Sequence, residues 1–127
     1  MTLKQVDAVR VYEINGQVCP LLAAQATHTV GANRTVVTGV SGSKIAVMGW
    51  IAQTDGAAAG SMQLKSASAG TMLMAPLFVP PSTGGLNDKL PIVDVPYFQT
   101  NSGEGLFVDI VTTAISLTVF YLIYESA

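Results

Sequence analysis

Apolar residues recur at every second position in run after run of this chain, and few stretches hold the i, i+3, i+4, i+7 spacing of an amphipathic helix over three turns. The runs are short and are cut apart by Gly, Pro, Asn, Ser and Thr, the punctuation of strands about five or six residues long. The first unit is Ala8-Val-Arg-Val-Tyr-Glu-Ile14, then Asn15-Gly16, then Gln17-Val-Cys-Pro-Leu-Leu22. Asn-Gly between apolar runs predicts a tight hairpin, because a type I′ turn needs positive φ at both central residues. Pro20 lacks a donor, which puts the second strand at an edge or near its end. Thr27–Val30 and Arg34–Val40 read as further short strands around Gly31-Ala32-Asn33.

Lys44–Gln53 is apolar on both faces, with Ile45, Val47 and Ile51 on one side and Met48 and Trp50 on the other. Such a strand lies between layers or under a neighbouring subunit. Ser61–Lys65 alternates, with Met62 and Leu64 inward, and Thr71–Val79 reads as another apolar strand ended by Pro80-Pro81. Residues 80–96 form a connection long enough to be functional or held by a partner. Tyr97-Phe98 resumes the sheet and Asn101–Gly105 turns.

The apolar stretch Leu106–Tyr124 approaches the roughly 20 residues of a membrane span. It carries Asp109 and the four polar residues Thr112, Thr113, Ser116 and Thr118, lacks flanking cations and is rich in β-branched and aromatic side chains. It therefore reads as two strands joined at Thr112-Thr113-Ala114. On the last strand Ile115, Leu117, Val119, Tyr121 and Ile123 share one face, and Phe120, Leu122 and Tyr124 share the other. About eight to ten strands at this spacing predict an all-β, antiparallel β-sandwich, jelly-roll-like, with an N-terminal hairpin. Residues 1–127 make a single domain. Within it, 1–5 read as a flexible arm, 6–43 as the hairpin and its following strands, and 44–127 as the sandwich core.

Composition narrows the chemistry. Half of the 127 residues are apolar and only 11% are charged, with a net charge of −2. The six cations are scattered singly, so no footprint for nucleic acid or an anionic membrane is present. The N-terminal Met1–Asp7 has no apolar h-region, so no secretory signal is expected. One cysteine and one histidine, Cys19 and His28, make neither an internal disulfide nor the usual zinc site. Gly39-Val-Ser-Gly-Ser-Lys44 has the wrong spacing for a phosphate loop and leads into a strand. No G-x-S-x-G elbow occurs, and no pair among the eight carboxylates is fixed in one cleft by the pattern. A protein without catalytic, cofactor or metal residues is expected.

From Lys44 onward the chain resembles a family of small virion structural domains of tailed bacteriophages, of which decoration and fibre-type domains are the nearest named kinds. The residues that carry the resemblance are Lys44-Ile-Ala-Val-Met-Gly-Trp-Ile51, the alternating Met62–Ser66, and Pro96–Ile110. In the last, Phe98, Thr100, Gly103, Glu104 and Leu106 meet the family's aromatic and glycine pattern. The closing Tyr121-Leu-Ile-Tyr-Glu125 is similar to its final strand. Residues 1–43 fall outside the resemblance, and the loop from Pro80 to Pro96 is longer and richer in proline than the family pattern.

The resemblance implies a jelly-roll-like sandwich assembled on a phage particle, with no catalytic residue to carry over. Two-sided apolarity and sparse charge add the expectation of an oligomer, a homotrimer above all. Met48, Trp50, Met72, Met74, Phe120 and Tyr124 are expected at its subunit interface. The expected partners are sister chains and the major capsid protein or another virion protein, and the expected place is the particle surface after synthesis in the bacterial host cytoplasm. A second reading is a carbohydrate-binding jelly-roll module of a tail or head fibre, with Tyr97, Gln99, Asn101 and Glu104 as its ligand surface.

Overall fold

The structure, a computed structural model, describes residues 10–82 and 87–126. The expected arm Met1–Gln5 and the first residues of the first unit therefore lie outside the described residues. Twelve strands run in chain order: β1 Val11–Ile14, β2 Gln17–Pro20, β3 Leu22–His28, β4 Gly31–Val37, β5 Ser43–Thr54, β6 Gly60–Ser66, β7 Thr71–Met72, β8 Leu77–Val79, β9 Asp88–Leu90, β10 Phe98–Gln99, β11 Leu106–Val111 and β12 Ile115–Glu125. Among the described residues there is no helix, so none is long and apolar enough to cross a membrane.

Pairing is antiparallel and nested. β6 pairs with β7 and β8, β5 with β9 and β10, β4 with β11, and β3 with β12. β12 also joins β5, and β11 also joins β6. The result is two five-stranded sheets, in the orders β9/β10–β5–β12–β3 and β4–β11–β6–β7/β8. A chain folded back on itself and wrapped into two facing sheets in this order is a jelly roll, as the sequence predicts.

The inner faces meet in one core. Ile45, Val47, Trp50 and Ala52 of β5 and Ile115, Leu117 and Val119 of β12 face Met62 and Leu64 of β6 and Leu106, Val108 and Ile110 of β11. At the corner between β3 and β4, the Arg34 guanidinium donates to Thr29 O at 3.2 Å and Val30 O at 2.6 Å. It holds the chain as it crosses from one sheet to the other.

Strand boundaries depart from the sequence pattern in four places, and two of these are strand gained: Gly31-Ala32-Asn33, expected between strands, opens β4, and the expected connection 80–96 contains β9. Residues 22–28 form one edge strand rather than the end of the hairpin, because β2 stops at Pro20 and the chain sets off again along β12. The expected strand Thr71–Val79 is two short strands, broken over 73–76 where Pro76 has no donor to give. Gln63 Nε2 donates to Met74 O at 2.7 Å across that break.

A bulge changes the faces of β5. Phe120 pairs with Gly49 but Tyr121 pairs with Val47, which leaves Met48 as the extra residue. Alternation therefore flips. Trp50 joins Ile45 and Val47 in the inner core, while Ile51 turns outward, the reverse of the expected faces. Glycine is needed beside the bulge, since a Cβ at residue 49 would stand 2.7 Å from Leu90 O.

The N-terminal hairpin covers part of the outer face of the β5–β12 sheet. Asn15 (φ 51°) and Gly16 (φ 79°) make the two-residue turn, and Ile14 pairs with Gln17. Cys19 packs into a second core with Ala46, Met48, Leu122 and Tyr124, flanked by Tyr12, Ile14, Leu21 and Ile92. Gln17 fastens the hairpin to the end of β12 by donating to Glu125 O at 3.1 Å and accepting from Glu125 N at 2.8 Å.

Met48→Ala should therefore cost about 2–5 kcal/mol, the usual range for emptying a fully buried site of this size. Denaturant unfolding measures the loss, and hydrogen exchange should show β1 and β2 losing protection before the sandwich does. An unchanged midpoint would mean that the hairpin does not depend on this core.

Candidate functional site

Six residues were expected at a subunit interface, and the structure separates them. Met48 and Tyr124 are buried in the second core and Trp50 in the first, all within one chain. Their surface is already covered in cis, so the expected placement of these three at a sister subunit is corrected. The Trp50 ring lies parallel to Phe98 with centroids 6.0 Å apart, and its Nε1 donates to Asp88 Oδ2 at 2.9 Å. Phe120 is half-buried against the second core and Met74 against the first. Of the six, Met72 alone is largely open, at 46% exposure.

Tyr97, Gln99, Asn101 and Glu104 do not converge on a ligand surface. Tyr97 Oη donates to Pro91 O at 2.8 Å, and the Tyr124 hydroxyl donates to Gln99 Oε1. Glu104 Oε1 accepts from Ser66 Oγ at 2.8 Å, and the same Oγ accepts from the Asn101 N–H at 2.9 Å. These polar groups pin the 97–104 segment to the strands beneath it. They work as struts.

A different group of residues does converge. Among the described residues the hairpin covers only the half of the outer sheet face nearest Leu122 and Tyr124, and no described residue covers the other half. There the register sets Gln25, Thr118 and Ile51 side by side on β3, β12 and β5, with Thr27, Ser116 and Gln53 forming the adjacent row. These six line a trough of about 270 Å³, together with Ala26 and Leu117. Thr27 Oγ1 and Ser116 Oγ hydrogen-bond each other at 2.9 Å. No lining residue is charged.

Sequence reasoning missed this site for two reasons. β3 was not recognised as a strand, and the bulge that brings Ile51 and Gln53 outward leaves no sequence mark except Gly49. The available signal was the pair of polar alternations Gln25-Ala-Thr27 and Ser116-Leu-Thr118.

The titratable groups lie elsewhere. On the outer face of the other sheet, Lys65 Nζ stands 2.8 Å from Asp109 Oδ1, with side chains 4% and 21% exposed. Asp109 Oδ1 also accepts from the Asn33 N–H at 2.8 Å, and Asn33 Oδ1 accepts from the Ala69 N–H at 2.7 Å. Burial works to raise the Asp109 pKa. The hydrogen bonds from Lys65 and Asn33 and the Lys65 charge outweigh it, and the carboxyl titrates below its ordinary 3.8. His28 is buried at the end of β3, and its pKa falls below the ordinary 6.5 through burial first and the Arg34 charge second. Among the described residues no three His, Cys, Asp or Glu side chains gather as a metal site would need.

No protein-family model matches the chain, and no curated protein is similar to it.

Both shifts are depressions, so both make stability fall on acidification. The His28 contribution is complete above about pH 6.5 and is lost as pH falls through the folded-state pKa. The Asp109 contribution is complete above 3.8 and is lost below it. Melting followed by circular dichroism should show two acid steps, the first absent in His28→Gln. Asp109→Asn should remove the second. It should also cost about 3 kcal/mol at neutral pH, the lower end for a buried charge stripped of its partner. A melting midpoint that rises between pH 7 and 5 would contradict this account.

Proposed function

We propose that this chain is a non-enzymatic structural protein of a bacteriophage virion, a capsid decoration or accessory protein that assembles as an oligomer, a trimer above all, on the particle surface. The observation that carries the reading is an uncovered apolar row on the outer face of the β4–β11–β6 sheet. Phe78 of β8 and Val111 of β11 flank Ser61 of β6 in register and are 65% and 56% exposed. Met72 of β7 extends the same outer face beside Lys65. Leaving a phenylalanine this open in water forfeits roughly 1.5–3 kcal/mol that burial would recover, and exposed apolar side chains gathered on one sheet face suit an interaction surface.

Two further features support assembly. Among the described residues β3 is a seven-residue edge strand, Leu22-Ala-Ala-Gln-Ala-Thr-His28, with no charge and no proline along it. The opposite edges are broken into pieces of two or three residues, a common protection against unwanted pairing. The mechanism is geometric. Apolar side chains on one sheet bury against sister chains, and the remaining surface meets the major capsid protein or another virion protein.

Sedimentation of the full chain should give a trimer at micromolar concentration. Phe78→Glu combined with Val111→Glu should shift it to a folded 13.2 kDa monomer that no longer binds empty phage capsids. A chain that sediments only as a monomer, or a double variant that assembles normally, would remove the reading.

A further inference from the structure

We infer that the trough on the outer face of the β5–β12–β3 sheet is a binding site for a small neutral saccharide. The site is separate from the apolar row, which lies on the other sheet.

Its chemistry comes from six side chains fixed on three paired strands. Gln25 and Gln53 supply primary amides, each both donor and acceptor. Thr27, Ser116 and Thr118 supply hydroxyls that also act both ways. Sugar hydroxyls donate and accept at once, and a lining of the same double character matches them. Ile51, 36% exposed, gives an outward apolar surface in the trough, against which the C–H face of a ring can lie.

Charge excludes the other small-ligand classes. A phosphate or carboxylate needs a cation, and none lines the trough. The nearest in register is Lys89 of β9, paired with Ile51 and exposed to solvent. A metal ion needs carboxylates or imidazoles, and none lines it either. A lipid or aromatic ligand needs an apolar cavity, and here five of the six outward side chains are polar.

The size fits one or two sugar rings. About 270 Å³ lies just under the roughly 300–1,000 Å³ of drug-sized pockets. The glutamines stand at opposite corners, two strands apart, which is about 10 Å across a sheet. Preorganisation comes from the ladder itself, since Ile51, Ser116 and Thr118 are each paired on both sides and Gln53 is paired with Ser116. The Thr27–Ser116 hydrogen bond further fixes the hydroxyl row.

The test is nuclear magnetic resonance titration of the full chain with glucose, galactose, N-acetylglucosamine, maltose and lactose, with a sialylated lactose as the charged control. Saturable shifts of backbone amides at 25–27, 51–53 and 116–118 are expected for at least one neutral sugar. Gln25→Leu and Gln53→Leu should each weaken that sugar about fivefold, the worth of one hydrogen bond. Both positions face solvent, and an unchanged melting midpoint confirms folding; should one variant be destabilised, Gln53→Asn, which withdraws the amide by one methylene, should show the same loss. Absence of saturable shifts overturns the inference. So do shifts confined to 97–104, binding of the charged sugar alone, and leucine variants that bind as well as the parent. Sedimentation of the same samples keeps this result apart from the assembly reading, because a sugar in the trough should leave the oligomer unchanged.

Discussion

The paired strands β5 and β12 are apolar on the inner face and over half of the outer one, and the rest of the molecule is arranged to cover these apolar parts. All eleven residues of β12 pair with β5, so the two behave as one long twisted ribbon. Its inner side carries Ile45, Val47, Trp50, Ile115, Leu117 and Val119, and its outer side carries Ala46, Met48, Leu122 and Tyr124. Each large apolar side chain removed from water contributes roughly 1.5–3 kcal/mol, so a single cover would leave half of that gain unrealised. The second sheet covers one side. The N-terminal hairpin, held by a two-residue turn and by the paired Gln17–Glu125 hydrogen bonds, covers the apolar half of the other.

The bulge at Met48 divides the ribbon into two regions with different exteriors. Before it, even-numbered residues of β5 face outward, and these are Ala46 and Met48 beneath the hairpin. After it, odd-numbered residues face outward, and these are Ile51 and Gln53. Trp50 can then enter the core, where it lies against Phe98 and is fixed through its N–H to Asp88. Without the extra residue the indole would face outward and Ile51 inward. One unpaired residue thus sets both the aromatic corner of the core and the composition of the trough.

The sequence made the class of fold legible because its strongest signals are local. Asn15-Gly16 encodes its turn by φ alone, and the split of Leu106–Tyr124 at 112–114 follows from polar residues set among β-branched ones. The hairpin's destination was not legible. Two-sided apolarity states that a cover is needed but does not name the cover, and a sister subunit served the pattern as well as the chain's own first strands. The trough was harder still. Its members come from β3, β5 and β12, and they meet only through long-range register and a bulge, neither of which a window along the chain can sense. Leu22–His28 was obscured by its own alanines, whose low β-propensity is overridden by pairing along the whole inner part of β12.

The exteriors of the two sheets follow opposite physical logic, and this lets one small domain carry two surfaces without conflict. The outer face of the β4–β11–β6 sheet pairs its one buried cation with Asp109, tying β6, β11, the start of β4 and the 67–70 turn into a stiff plate. Beside that ion pair stand Phe78 and Val111, apolar and open. A rigid plate with uncovered apolar side chains loses little conformational freedom when another protein covers it, so burial converts efficiently into association. The trough on the opposite sheet is polar and uncharged, and any ligand there would have to replace the hydrogen bonds its side chains make to solvent. Were the proposed site and assembly both real, weak binding per site would gain avidity from repetition of the domain without new contacts. Both surfaces therefore depend on the same ribbon: it spaces the sheets, and its two faces, one buried by folding and one half-covered by the hairpin, determine what remains outside.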